Sequence, residues 1–362
     1  MKQYKGSTFD RKMIQRCLQL AQRAAGKTSP NPLVGSVIVK DGVIIGEGFH
    51  PEVGKPHAEV FALREAGNQA RGSIVYVNLE PCNHYGKTPP CSNALIEAQV
   101  AKVVTGMVDP DPRVAGGGIK KLREAGIEVV VGVEEAACRQ LNEAFIHRIL
   151  QKQPFGILKY AMTLDGKIAT TTGHSAWVTS PASRHLVHQL RSTCDAVIVG
   201  GNTVRQDNPS LTTHGITQHN PLRVVMSRSL DLPTDCNLWN DGLAETLIFT
   251  ENDNAAQQQK LIGNKTNIIT VAALTPHAAI EHLYQQGITK VLWECGGTLA
   301  AKAIADGTIQ KIMTFIAPKI IGGKSSPSPV GDLSLNLMTD ALQLKEVSTR
   351  SVDQDILIEG YL

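Results

Sequence analysis

The sequence predicts a two-domain α/β protein, and three observations carry that reading. The chain has 362 residues, long for one core and ample for two. Helical and strand patterns alternate through both halves. At "QKQP" a polar helix ending near His147 gives way to Pro154 and a new apolar strand. Domains are therefore expected over residues 1–150 and 151–362.

In the first domain, Phe9 to Ala25 reads as an amphipathic helix. "LVGSVIVKDGVIIGEG" is a hairpin signal, two β-branched runs joined by Asp41-Gly42. A helix follows in "PHAEVFALREAG", with Pro56 suited to its first turn. Then come the strand "SIVYVNLE", the helix "CSNALIEAQ", the strand "AKVVTGMV", a helix near "GIKKLREAG" and the strand "IEVVVG". Together they describe a layered domain with a mixed sheet. In the second domain the expected strands are "FGILKYAM", "DAVIVGG", "LRVVMS", "ETLIFT", "NIITVA", "KVLWECGG", "KIMTFIAPKIIG" and a closing "ILIEGYL". "GGKSSPSPVG" reads as a surface loop, and the chain shows no internal repeat.

Composition narrows the function classes. With 42% hydrophobic and 19% charged residues the chain is ordinary and globular. It shows no apolar run of signal-peptide or membrane-span length, which predicts a cytoplasmic protein. There its seven cysteines stay reduced, which argues against a disulfide loop in "PCNHYGKTPPC". The net charge of +3 comes from scattered Lys and Arg with no basic run, which argues against a nucleic-acid groove but leaves room for phosphate contacts.

The chemistry concentrates around that loop. His57, Cys82 and Cys91 offer one imidazole and two thiolates, a set that zinc accepts, with a fourth position left for water when the site is catalytic. A structural zinc site has no use for a carboxylate two residues from the histidine. A deaminase needs one as a proton shuttle, and Glu59 stands there. His-x-Glu followed by Pro-Cys is the signature of zinc-dependent base deaminases. Here eight residues separate the cysteines instead of two. In the second half, "ECGGTLAAKAI" leaves a strand and opens a helix, an arrangement that attracts a diphosphate. "VGGNTVRQDNP" makes a second Gly-rich turn. Neither is GxGxxG, which argues against a Rossmann dehydrogenase.

The segments "TSPNPLVGSVIV", "GKPHAEVFAL", "LEPCNHYGKTPPC" and "VDPDPRVAGGGIKKLREAGI" resemble the bacterial bifunctional deaminase/reductases of riboflavin biosynthesis. The resemblance continues through "LKYAMTLDGKIAT", "GGNTVRQDNPSLT" and "WECGGTLA", in one order over nearly the whole chain. It implies a cytidine-deaminase-like α/β/α domain followed by a dihydrofolate-reductase-like α/β domain. The implied activity is zinc-dependent deamination of a phosphoribosylamino-pyrimidine, then NADPH-dependent reduction of its ribosyl to a ribityl chain. One Zn2+ per chain and NADPH are the implied cofactors. The partners are a small phosphorylated pyrimidine and further copies of the chain in a dimer or tetramer, with no nucleic acid and no membrane.

By the same resemblance Cys82 and Cys91 hold zinc with His57, and the residues between them hold substrate. His84, Lys87 and Thr88 supply donors suited to a pyrimidine oxygen or a phosphate. Asn31 and His50 lie where the family contacts the base, and Asp109 where it contacts ribose; His50 and His84 have a purely local packing or capping role as the alternative. Asp111 stands where many relatives carry Asn. NADPH contacts would be Ala161, Trp177, Thr203, Asp207, Ser227, Arg228 and the run Gly296, Gly297, Thr298, Leu299, Ala300, Ala301 and Lys302. Reductase substrate contacts would be Lys159, Ser175, Arg191, Leu211, His214 and Glu294, with Arg191 gripping a phosphate and Glu294 the ribose hydroxyls. Two positions depart from the family. Ser227-Arg228 replaces Asp-Ser or Asp-Thr, so Arg228 is either a 2′-phosphate contact or a solvated side chain. His214 replaces an Arg, which puts one phosphate contact in doubt. The competing functions are a deaminase whose reductase half survives as a scaffold, and an RNA base editor.

Overall fold

A computed structural model describes residues 6–85, 89–261 and 265–362. The chain divides into two compact units, Met1–Lys152 and Gln153–Leu362.

The first unit runs α1 (Thr8–Gln22), β1 (Gly35–Lys40), β2 (Val43–Phe49), α2 (Ala58–Ala66), β3 (Ile74–Val77), α3 (Cys91–Glu97), β4 (Lys102–Thr105), α4 (Gly117–Glu124), β5 (Glu128–Val131), α5 (Glu135–Leu141) and α6 (Glu143–Gln151). Ser7 caps α1 in a reciprocal box with Asp10, so the helix starts where the sequence supplies the partners. The sheet order is β2-β1-β3-β4-β5. β1 is antiparallel to β2 and β3, and β3, β4 and β5 are parallel. Strand alternation sorts the two cores. Ile38, Val75 and Val77 face α2, α3 and α4 together with Ala62, Leu95 and Leu122. Val37, Val39 and Tyr76 face Ile14, Cys17 and Cys138 on the opposite side. The result is a three-layer α/β/α unit.

The second unit runs β6 (Phe155–Thr163), α7 (Pro181–Arg191), β7 (Ala196–Gly200), α8 (Gly201–Asp207), β8 (Leu222–Met226), α9 (Asn237–Asn240), β9 (Thr246–Thr250), α10 (Ala255–Leu261), β10 (Thr266–Thr270), α11 (Pro276–Gln285), β11 (Lys290–Trp293), α12 (Gly297–Ala305), β12 (Lys311–Ala317), β13 (Lys345–Val352) and β14 (Asp355–Tyr361). Its sheet order is β10-β9-β8-β7-β11-β6-β12-β14-β13, parallel from β10 to β12 and antiparallel beyond. All the expected strands are present, and one strand was not foreseen. β13 is exposed along seven of its eight residues and joins β14 through a turn without Gly, so neither apolar alternation nor turn chemistry marks it.

Two local expectations change. Pro56 lies before α2 rather than inside it, and His57 is the N-cap residue with extended backbone. Glu59 falls in the first turn of α2.

Candidate active sites

Three elements build the first site. His57 caps α2, Cys82 follows β3, and Cys91 is the first residue of α3. Cys82 Sγ and Cys91 Sγ lie 3.4 and 3.3 Å from His57 Nδ1, and all three ligand atoms fall within 4.8 Å of one another. Tetrahedral zinc with bonds of about 2.1 Å to nitrogen and 2.3 Å to sulfur needs N···S edges of about 3.6 Å. The donor set fits. One thiol is set up to ionise: its contacts with Cys91 and His57 pull Cys82 down to about 4, while Cys91 is pushed up. Glu59 is 3% exposed beside Cys91, and burial pushes its carboxyl up to about 7, with the Cys82 charge adding to the rise.

Around this center the structure gathers Asn31 and His50. His50 Nδ1 lies 3.1 Å from the Pro56 carbonyl, which can only accept, so Nδ1 carries the hydrogen. Nε2 then accepts from the Asn31 amide at 3.1 Å. The His50 ring stands edge-on to His57, with centroids 5.5 Å apart. Asp109 is half-buried, its Oδ1 accepting from the Asp111 N–H at 2.8 Å. Asp111 is taken up by Arg113, whose side chain and backbone both donate to it. His84 is exposed. Lys87 and Thr88 lie outside the described residues.

The second site is a cavity of about 1370 Å³ outside the carboxyl ends of β6, β7, β8 and β11, where open parallel sheets bind ligands. It exceeds the roughly 300–1,000 Å³ of a drug-sized pocket and has room for a dinucleotide beside a second ligand. Of the expected contacts, Lys159, Ala161, Ser175, Trp177, Arg191, Thr203, Asp207, Leu211, His214, Ser227, Arg228, Glu294, Gly296, Gly297, Thr298, Leu299 and Lys302 all line it. Ala300 and Ala301 do not. They are 0% and 5% exposed in α12 and pack into the core. The two glycines also differ in purpose. A Cβ on Gly296 would meet nothing, leaving bare backbone at the start of α12 for a diphosphate. A Cβ on Gly297 would lie 2.6 Å from the Ser328 carbonyl, so that glycine accommodates the chain itself.

Charges in this cavity are paired differently from the sequence expectation. Arg191 does not offer a free fork to a phosphate. Its Nε and Nη2 donate to Glu294 at 2.5 and 3.0 Å, and Nη1 donates to the Thr212 carbonyl. Lys159 Nζ lies 3.6 Å from the same carboxylate. Arg228 leans on Glu251 at 3.2 Å and stays largely exposed. His214 stacks on His188 with centroids 4.1 Å apart, and burial together with Arg191 lowers its pKa from 6.5. Ser175 Oγ donates to Asp207 at 3.1 Å.

Sequence reasoning missed the residues that hold these loops. Asn78 and Asn142, both buried, bond the backbone of Leu33 from two sides and fix the segment that carries Asn31. Arg223 is 1% exposed and ties Asp241, Leu238, Ala244 and Ser210, the last next to Leu211. None of them stands in a motif. Their only sequence signal is a polar residue inside an apolar strand or at a helix start.

Comparison with known proteins adds to this geometry. Residues 7–107 match the cytidine and deoxycytidylate deaminase zinc-binding region, and residues 154–358 match the RibD C-terminal domain. The chain is 58% identical to the riboflavin biosynthesis protein RibD of Synechocystis sp., over 98% of this chain and 96% of that one. Among solved structures it is similar to a diaminohydroxyphosphoribosylaminopyrimidine deaminase/5-amino-6-(5-phosphoribosylamino)uracil reductase from Thermotoga maritima. That match has 36% identity, 98% of both chains covered and a TM-score of 0.89. RibD of Acinetobacter baumannii gives 36% identity, 98% of both chains and 0.86.

Proposed function

The chain belongs to the RibD family of riboflavin biosynthesis proteins, and from that premise we propose how its residues carry out the two reactions. It is a bifunctional enzyme, a zinc-dependent deaminase and an NADPH-dependent reductase. The first unit deaminates a diamino-phosphoribosylamino-pyrimidine, and the second reduces the ribosyl group of the deaminated product. The observation that carries the reading is the gathering of His57, Cys82 and Cys91 with buried Glu59 beside them.

In the deaminase, His57 Nδ1 and the two cysteine sulfurs would hold zinc, which when bound would supply Lewis-acid activation of water. Glu59 moves two protons in turn, the first from the attacking water to a ring nitrogen and the second from the hydroxyl now on the ring carbon to the departing ammonia. Asn31 and His50 hold the base, while Asp109 holds the ribose and His84 adds a donor at the rim.

In the reductase, NADPH supplies the hydride when bound. The start of α12 at Gly296 and Thr203 of α8 would seat its diphosphate, Asp207 would accept from its hydroxyls, and Ser227 and Arg228 would receive the adenosine end. Glu294, oriented by Arg191 and Lys159, keeps lone pairs free for a ribose hydroxyl. With Arg191 committed, the substrate phosphate falls to His214 and its neighbours at the cavity wall.

The test follows NADPH oxidation with the aminated and the deaminated pyrimidine as separate substrates. Zinc-replete protein should oxidise NADPH with both, and metal-stripped protein only with the deaminated one. Oxidation with neither substrate would leave the second unit a scaffold.

No helix among the described residues is long and apolar enough to cross a membrane, and the reading places the enzyme in the cytoplasm. It also assembles with copies of itself. β13 is an edge strand of the nine-stranded sheet, and Leu335, Leu337, Met338, Leu342 and Val347 are exposed on or near it. A solution mass equal to the 39.0 kDa of one chain would overturn that assembly.

A further inference from the structure

Glu80 lies three residues beyond β3 and two before Cys82, and no reaction step uses it. Its residue is 5% exposed. Oε2 accepts from the backbone N–H groups of Asp109 at 3.1 Å and Gly116 at 2.9 Å. Oε1 accepts from those of Gly118 at 2.9 Å and Ile119 at 3.1 Å. Four donors fill the acceptor sites of one buried carboxylate. Three of them belong to the N-cap and first turn of α4, where unpaired N–H groups favour negative charge. The glycines of this turn permit the approach. A Cβ on Gly118 would lie 2.0 Å from the Pro81 carbonyl oxygen, so only glycine lets α4 sit against the loop that carries Cys82. Asn83 adds a second tie, donating to the Gly117 carbonyl at 3.3 Å.

We propose that Glu80 is a positioning residue of the deaminase. It locks the Asp109–Ile119 segment to the Cys82 loop and so fixes where Asp109 meets the substrate. The proposal rests on the reading of Asp109 as a substrate contact. One carboxyl bonds Asp109 directly and, through the other three donors, the helix start behind it.

The test is Glu80→Gln in the full-length, zinc-loaded enzyme. Each carboxylate oxygen takes two donors, so whichever way the amide turns, its NH2 meets two N–H groups. The variant is expected to keep its zinc and most of its deamination kcat. Its deamination KM should rise about tenfold, and amide hydrogen exchange at Gly118 and Ile119 should speed up. Asp109→Asn should raise KM by itself. In the double variant the Glu80→Gln penalty should shrink to about twofold or less, since nothing is left to position. Glu80→Asp, which keeps the carboxylate on a shorter arm, should fall between wild type and Glu80→Gln. An unchanged KM in Glu80→Gln beside a raised one in Asp109→Asn overturns the proposal and leaves the Asp109 contact standing. Unchanged KM in both removes the Asp109 contact and the proposal with it. Penalties that simply multiply in the double variant overturn it, and so does zinc loss in both Glu80 variants, which would make the residue a support of the metal loop.

Discussion

Glu59→Gln is expected to keep its zinc and to lose deamination by about 10²–10⁴-fold. The amide has the shape of the carboxyl and leaves the three metal donors, His57 Nδ1 and the sulfurs of Cys82 and Cys91, where they are. What it cannot do is accept and return a proton. Because Glu59 is 3% exposed, bulk water has little access to take over that task. Cys82→Ser is the contrasting variant. A serine hydroxyl does not ionise as a thiol does, so metal and deamination should disappear together. Both variants should still oxidise NADPH with the deaminated pyrimidine, since the described residues that line the reductase cavity all belong to the second unit. Metal analysis and ammonia release on the same preparations decide the outcome. A Glu59→Gln enzyme retaining about a tenth of wild-type turnover removes the proton role, and one without zinc makes Glu59 a ligand instead.

The two sites were legible to different degrees. The metal center could be read because its chemistry is local: a histidine and a carboxylate two residues apart, then a cysteine after a strand and another at a helix start. Zinc accepts few donor sets, so little else explains the pattern. The cavity of the second unit could be outlined from glycine-rich turns at strand ends, but its charges could not be assigned. Arg191 and Glu294 are 103 residues apart in sequence and meet only because the fold brings the last residue of α7 beside the residue that follows β11. Without the fold, a lone Arg is as good a phosphate contact as an ion-pair partner. Ala300 and Ala301 show the same limit in a helix. A run of seven residues cannot keep one face toward a ligand, and the helical period turns these two into the core. β13 escaped notice because an edge strand with both faces in water needs no apolar alternation. Glu80 escaped because its partners are backbone groups, which leave no mark in sequence.

Glu294→Gln should abolish reduction and destabilise the second unit by about 3–5 kcal/mol at neutral pH. The side chains of Glu294, Arg191 and Lys159 are 10%, 11% and 18% exposed, so the carboxylate is the counter-charge for two nearly buried cations. A neutral amide leaves both cations unpaired, a cost larger than the net worth of the pair. The pH dependence identifies the mechanism. Burial alone would raise the Glu294 pKa, but Arg191 and Lys159 outweigh it and hold the group at about 2, below its ordinary 4.5. A depressed folded-state value means that the stabilisation is fully present above 4.5 and is lost as pH falls from there toward 2. The gap in stability between wild type and Glu294→Gln should therefore be constant from neutrality down to about 5 and narrow below it. All three tryptophans, Trp177, Trp239 and Trp293, lie in the second unit, so their fluorescence in urea follows that unit alone. Lys159→Met, introduced into Glu294→Gln, separates charge from shape. Removing one unpaired cation should return part of the lost stability, although reduction stays absent. A gap that persists unchanged to pH about 3, or a double variant less stable than Glu294→Gln, would mean that Glu294 stabilises the unit by packing and hydrogen bonding rather than by its charge.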